Sequence, residues 1–553
     1  FTALGGVSKS TAGIPVETTV IFDDRDALGY SYDYTNMGSP RLTFGTSVTD
    51  PANFQLAEIR DRPSSVVNRF KTAQFRTEWD VSENITLKAG AVWRRFNFDT
   101  EAFTRDTAIC GNGGTSLVTS TAGTITCSAS SLFGPAAIYG FAVTPALSQG
   151  FNLGKAGQPA GNTNGWLVPN LAATTAFTGL YSRALANDAG NIRGVQETTK
   201  GGYLQADAKG ELFGLEYAAN AGIRYAKTEQ SSYGLVSGVN ATVTRSYDDW
   251  LPSANLALYP TESTIVRFAV ADVMTRPTLG SLTPGGSADG FNYRVTSGNP
   301  FLAPFRATNY DLSLEWYFAP QAVLSLALFQ KDVGTFTQSA SITGATFAQT
   351  GLPASVLSPA SPAALNPAQQ LEPRWTLATT VNGSGAKLKG LELAAQIPFS
   401  AFTDGMLSNF GILANATFID SNASFNVQGP AIAPGGALQN AVVSNTLGNV
   451  TKKAFNGTLY YDDGKFSARG MLSYRGRYHE GASGTGNILE GYGATTNFDA
   501  SVRYKLTEWM EVSVEGNNLL DTYRYRFTDF DADRNYENNH FGRTILFGAR
   551  FKM

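Results

Sequence analysis

Few residues in this sequence are equipped for chemistry by type and spacing together. Asp529, Asp531 and Asp533, followed by Asn535, alternate within one polar segment and could offer oxygen ligands to Ca²⁺. Arg534 stands where the sharp turn of a calcium loop wants glycine, and His540 stands where a closing acid would sit. A solvated acidic loop therefore fits the same residues. Cys110 and Cys127, 17 positions apart, suit a disulfide in an oxidising compartment, or two free thiols. Trp166, Tyr293 and Trp375 carry broad ring faces that could stack on a sugar or a flat chelate, although loop packing accounts for them equally well. The glycine-rich pieces at 111–114 and 481–486 lack the strand-to-helix setting of a phosphate cradle. With two histidines and no HExxH, there is little material for a zinc site or a histidine-based catalytic site. No enzyme activity is expected, and no cofactor beyond a structural Ca²⁺.

Such sparse chemistry turns attention to the elements that would carry it. The chain has 553 residues, of which 16% are charged, whereas ordinary soluble domains run near ~25%. Lys+Arg 42 against Asp+Glu 45 gives a net charge of −3, too balanced overall to advertise a nucleic-acid groove or a polybasic membrane patch. No apolar run reaches the length of a membrane helix, and the mean hydropathy is −0.13. A barrel strand escapes that test, because about ten residues with every second one apolar average to near-neutral hydropathy. The start, Phe1-Thr2-Ala3-Leu4-Gly5-Gly6, has neither an initiator Met nor a leader pattern. The sequence is expected to begin after processing or within a longer protein.

Period-two patterning is the strongest signal. Ala73, Phe75, Thr77, Trp79 and Val81 oppose Thr72, Gln74, Arg76, Glu78 and Asp80. Leu204, Ala206, Ala208 and Leu212 oppose Tyr203, Gln205, Asp207, Lys209 and Glu211. Tyr310, Leu312, Leu314, Trp316 and Phe318 oppose Asp311, Ser313 and Glu315, and near the end Phe498, Ala500, Val502, Tyr504 and Leu506 oppose Asp499, Ser501, Arg503 and Lys505. A soluble β-sandwich or solenoid also alternates. Three features favour an all-β transmembrane antiparallel β-barrel.

The first is loop parity. Short turns are expected near Ser82-Glu83, Gly210-Glu211, Pro260-Thr261, Pro320-Gln321, Asp463-Gly464 and Thr507-Glu508, and long loops near 100–192, 275–304, 338–385, 425–450 and 521–540. Outer-membrane barrels keep short periplasmic turns and longer extracellular loops. The second is a girdle: Trp79, Tyr259, Phe318, Phe399, Tyr461, Tyr504 and Trp509 all lie close to a short turn, where amphipathic rings settle at headgroup depth. The third is an alternating strand, from Gly542 to Met553, that runs to the last residue as a barrel's seam would. On this topology Cys110 and Cys127 fall in the longest outward loop, where a disulfide would contribute roughly 3 kcal/mol. Arg76, Glu78, Asp207, Lys209, Glu315, Arg503 and Lys505 would face the lumen.

Specific motifs add a family. Arg276-Pro277-Thr278-Leu279-Gly280-Ser281-Leu282, then Ser297-Gly298-Asn299-Pro300-Phe301-Leu302-Ala303-Pro304, feeding Asn309-Tyr310-Asp311-Leu312-Ser313-Leu314-Glu315-Trp316-Tyr317-Phe318, resembles the barrel of TonB-dependent outer-membrane receptors, in a form common among caulobacters and sphingomonads. Lys389-Gly390-Leu391-Glu392, the strand around Ser467-Ala468-Arg469, Glu515-Gly516-Asn517-Asn518-Leu519-Leu520-Asp521 and the closing Gly542-Arg543 strand agree with it. The resemblance covers residues 200–553 well and 14–100 loosely. Met553 departs from it, since such barrels usually end in an aromatic residue.

The resemblance implies a barrel of roughly 22 strands. Residues 1–553 would supply about 17 of them as the C-terminal part of a longer receptor, with the plug domain and TonB box outside the sequence. It also implies TonB-dependent active uptake of a scarce nutrient, a carbohydrate, a siderophore or similar, across the bacterial outer membrane. The partners would be the TonB–ExbB–ExbD energy complex acting through a plug, outer-membrane lipid or lipopolysaccharide, and a small-molecule ligand. Two rivals stand beside it: a passive porin-like channel complete within the chain, and a surface structural or adhesin β-protein.

Overall fold

The computed structural model describes residues 1–552 except 24–27, 106, 109–117, 121–122, 126–127, 130–137, 237, 291, 351, 353, 358–361, 384, 430–438, 481–488 and 529–532. Alternation becomes strand wherever it was read, and one sheet of 21 strands dominates. Sixteen of these form the wall: β1 (Thr2–Ile14), β2 (Ser64–Ser82), β3 (Ile85–Thr104), β4 (Arg193–Leu212), β5 (Leu215–Val236), β6 (Val239–Thr261), β7 (Thr264–Thr275), β8 (Phe305–Ala319), β9 (Ala322–Ala345), β10 (Ala386–Pro398), β11 (Phe410–Gly429), β12 (Lys453–Asp462), β13 (Phe466–Arg475), β14 (Thr495–Lys505), β15 (Met510–Asn517) and β16 (Thr544–Phe551). Each is hydrogen-bonded antiparallel to the next, in sequence order. The wall is one strand short of the seventeen or so expected from the sequence, and the other five strands of the sheet extend it on the long-loop side.

Register fixes which residues share a face, because a one-residue slip would turn every side chain over. Trp79 lies opposite Leu87, Leu204 opposite Ile223, Leu314 opposite Leu326, Leu326 opposite Leu393, and Val502 opposite Val514, which in turn meets Phe547. An apolar belt thus passes from strand to strand along the whole wall. Its side chains stand clear of protein: Trp79 is 66% exposed, Leu314 44% and Val502 42%. In a water-soluble sandwich these would be the core. Here their natural solvent is hydrocarbon, the setting of a transmembrane β-barrel. No helix among the described residues is long and apolar enough to cross a membrane.

Short turns close one rim. The β4–β5 hairpin turns at Phe213-Gly214, both with positive φ (54° and 79°), as a two-residue turn matched to strand twist requires. The expected turn at Gly210-Glu211 is therefore displaced. Gly210 is inside the strand opposite Tyr217, whose ring would crowd a β-carbon there. Aromatic rings line this rim in contact with one another: Phe318 with Phe402, Phe399 with Phe410, Phe410 with Tyr461, Tyr461 with Phe466, and Trp509 with Phe551. Tyr461 donates its hydroxyl to Asp463, placing its polar end at the turn.

Long connections on the opposite rim build cores of their own. Val48, Phe54, Leu56 and Ile59 pack against Val143 and Leu180, so the 15–63 and 143–182 segments form one unit. A second core joins Val236 and Val295 to Phe347, Val356, Leu357 and Trp375. The sequence reading did not separate out the connections at 15–63 and 476–494.

Candidate functional site

By register, the seven residues named as lumen-facing share the strand face opposite the apolar belt. Cross-strand pairing explains how so many charges are tolerated there. Lys88 on β3 contacts Asp207 on β4 at 2.5 Å, with Glu78 at 3.9 Å on its other side. Arg267 donates to Glu315 at 2.9 Å, Arg503 lies 3.4 Å from Glu515, and Asn255 donates to Asn220 at 2.8 Å. Lys505 donates to the Gly464 carbonyl beside a short turn. Near the short-turn rim this face opens into a recess of about 1230 Å³, lined among others by Asp80, Asp207, Lys209, Asn220, Asn255 and Arg267.

Nearer the opposite rim the same face carries a folded strap, residues 276–304, which includes the Arg276-Pro277 and Gly298-Asn299-Pro300 motifs. It falls within the long loop expected near 275–304, and its ends are tied to polar-face groups of β4, β5 and β6. Arg276 donates to Thr199 and Thr228 at 2.9 and 3.0 Å and lies 3.8 Å from Glu197. Gln230 donates to the Pro300 carbonyl at 3.0 Å, and Arg245 donates both to Gln230 and to the Leu302 carbonyl. Leu282 and Leu302 are wholly buried against Val195. Farther along, Asn382 accepts from the Ala303 N–H and donates back to its carbonyl, and Asn299 donates to the Thr380 carbonyl. Gly298 has to be glycine, because a β-carbon there would strike the Thr283 carbonyl.

Glu197 is the electrostatic centre of this anchor. It lies above the point where charged Lys200 and Lys227 end the apolar belt on the outer face, so it is outside the membrane-spanning stretch. Burial pushes its carboxyl above the usual range, while Arg276 and Arg245 pull it down. Burial also raises Tyr247 and lowers Arg245. The sequence reading missed Glu197, Thr199, Thr228, Gln230 and Arg245. Their only trace was polar residues continuing on the inner parity beyond the end of the apolar belt.

The three rings singled out from the sequence fare differently. Trp375 is 1% exposed, its ring packed against Phe347 and Tyr293 and its N–H donated to the Gln369 carbonyl, so it offers no face to a ligand. That corrects the expectation of a stacking residue: Trp375 is the core of a loop unit. Tyr293 is half-buried, capped by the Arg374 guanidinium 4.3 Å from its ring centre, and donates to Gln369. Trp166 is half-buried edge-on to Phe44. Asp533 is held by Arg477 at 2.6 Å, and burial raises its pKa against that cation's pull. Asp529, Asp531, Cys110 and Cys127 lie outside the described residues. Among the described residues no group of acids, histidines or cysteines has the arrangement of a metal site.

The family described as "TonB dependent receptor-like, beta-barrel" matches residues 15–519. Among solved structures, the copper transporter OprC aligns with a TM-score of 0.50 at 12% identity, over 89% of this chain and 58% of that one. The ferric yersiniabactin uptake receptor FyuA from Yersinia pestis aligns at 0.48 and 12%, over 93% and 56%, and the unliganded ferric citrate transporter FecA at 0.47 and 12%, over 90% and 56%. The first of these shows a shared fold. The chain spans a little over half the length of each. No curated protein sequence matches it.

Proposed function

Because the chain belongs to the TonB-dependent receptor β-barrel family, we propose that it forms the barrel and ligand-presenting loops of an active importer in the bacterial outer membrane. Its cargo would be a scarce small nutrient, a carbohydrate, a siderophore or similar. The work would come from the TonB–ExbB–ExbD complex acting through a plug. One observation carries this reading: the 276–304 strap is tied to the wall near the long-loop rim, through its own Arg276 side chain and through the Gln230 side chain of the wall, above a charged recess. A wide lumen must be obstructed to keep the membrane tight, and obstruction makes passage depend on work rather than diffusion. Trp166 and Tyr293 are the loop rings left to meet a ligand.

The test is uptake by cells expressing the complete gene, using the small molecule that co-purifies with the protein. Uptake should fall to background when tonB is deleted. Uptake that persists without TonB supports a passive channel, and purification without detergent supports a surface adhesin.

A further inference from the structure

The turn near the end of the strap is held more firmly than its length requires. Asn299-Pro300-Phe301-Leu302 folds back on itself, with the Leu302 N–H donating to the Asn299 carbonyl at 3.2 Å and the Phe301 N–H to the Asn299 side-chain oxygen at 2.9 Å. Pro300 fixes its own φ at the second position of the turn. Groups outside the turn pin its other residues. The Asn299 N–H donates to the Ser281 carbonyl at 2.8 Å, and its side chain donates to the Thr380 carbonyl at 3.0 Å. Gln230 on β5 donates to the Pro300 carbonyl at 3.0 Å, and Arg245 on β6 donates to the Leu302 carbonyl. Pro300 and Leu302 are buried. Phe301, between them, is 64% exposed and makes no ring contact with any described residue. A lone exposed phenyl is common on protein surfaces. Here the phenyl is fixed at the tip of a pinned turn, so its position is set before anything meets it, with two side-chain torsions left to order.

The charges around this turn are already engaged. Arg245 holds Gln230 and the Leu302 carbonyl, Arg276 holds Thr199 and Thr228 beside Glu197, and Arg306 holds Asp249 at 2.6 Å. An anionic ligand would have to displace one of those contacts, and three guanidiniums against two carboxylates disfavour a cation. What remains is the ring face itself, which has neither donor nor acceptor and attracts apolar or C–H-bearing faces. We infer that Phe301 is a cargo-contacting residue, a preset platform in the polar path on which an uncharged ring of the cargo stacks. Gln230 and Arg245 place the wall behind the turn, so the ring stands toward that path. A pyranose C–H face and a neutral aromatic ring present the same chemistry to it. The inference rests on the importer reading above and deepens it by naming the contact.

The test replaces Phe301 with photoreactive p-benzoylphenylalanine in cells that express the complete gene on complex medium, and does the same at Leu365, which is 74% exposed on a loop helix. After irradiation, mass spectrometry of the denatured protein should find a small uncharged adduct at 301 and little at 365. Fragmentation of the adduct separates a saccharide from an aromatic compound. The recovered compound then serves as the probe for uptake. Phe301→Tyr and Phe301→Trp keep a flat face and should keep the half-saturating concentration. Phe301→Leu should raise it about two- to tenfold while melting like the parent. No adduct at 301, equal adducts at both positions, an ionised adduct, or uptake unchanged in Phe301→Leu overturns the inference. So does a Phe301→Leu protein that melts well below the parent, because the ring would then be structural. Deleting tonB separates the two readings: an adduct at 301 with undiminished uptake contradicts the importer and not the platform.

Discussion

Glu197 shows how a single buried carboxyl can report on the strap. Its pKa is raised by burial, so the folded protein holds its proton more tightly than the unfolded chain does. Stability from this site is therefore fully present in acid and is lost as pH climbs through the ordinary carboxylate range and beyond. Glu197→Gln should flatten that slope in melting curves taken between about pH 4 and about pH 8. An unchanged slope would mean that another group titrates. Arg276→Ala removes the donor to Thr199 and Thr228 and the cation nearest Glu197, and should cost ~1–3 kcal/mol, read as a lower thermal midpoint and faster proteolysis within 276–304. Leu302→Ala, in a wholly buried site, should cost ~2–5 kcal/mol. Arg276, Pro300 and Leu302 stood out in the sequence as motif residues, but their partners on the wall did not. Glu197, Gln230 and Arg245 meet residues of the strap some 50 to 100 positions away, and no local pattern encodes that meeting.

Strands were the legible level. The alternation around 72–81, 203–224, 310–318 and 498–506 is the same alternation that the register assembles into a belt, because each strand has to satisfy lipid on one side and polar neighbours on the other. Punctuation was less legible. Gly210 reads as a turn but is inside β4, making room for a tyrosine ring. Leu314→Arg, at the middle of the β8 belt, should destabilise the barrel by ~2–4 kcal/mol in vesicles, as measured by urea unfolding. Glu315→Gln, one residue along on the polar face, should cost much less, because it weakens only exposed contacts with Arg267 and the Tyr317 hydroxyl. Equal effects would show that the two faces do not differ in solvent. The outer strands make a further demand. β1 pairs with β2 and β16 with β15, and both are exposed along their length. Hydrocarbon offers no water to bond an edge, so the amide protons along the outward edges of β1 and β16 should exchange slowly in a bilayer.

At the scale of the molecule, a belt at mid-height, aromatic rings at the short-turn rim, loop cores at the other and charge within describe one object, a wall that separates lipid from a polar path. The measurement that tests this most directly is nitroxide accessibility at adjacent positions, with labels placed singly at Ser313, Leu314, Val502 and Arg503 of the protein in lipid vesicles. Leu314 and Val502 should be relaxed by oxygen and shielded from a water-soluble nickel chelate, and Ser313 and Arg503 should show the reverse. Leu314 and Val502 shielded from both reagents, or all four positions equally open to the chelate, would contradict the account.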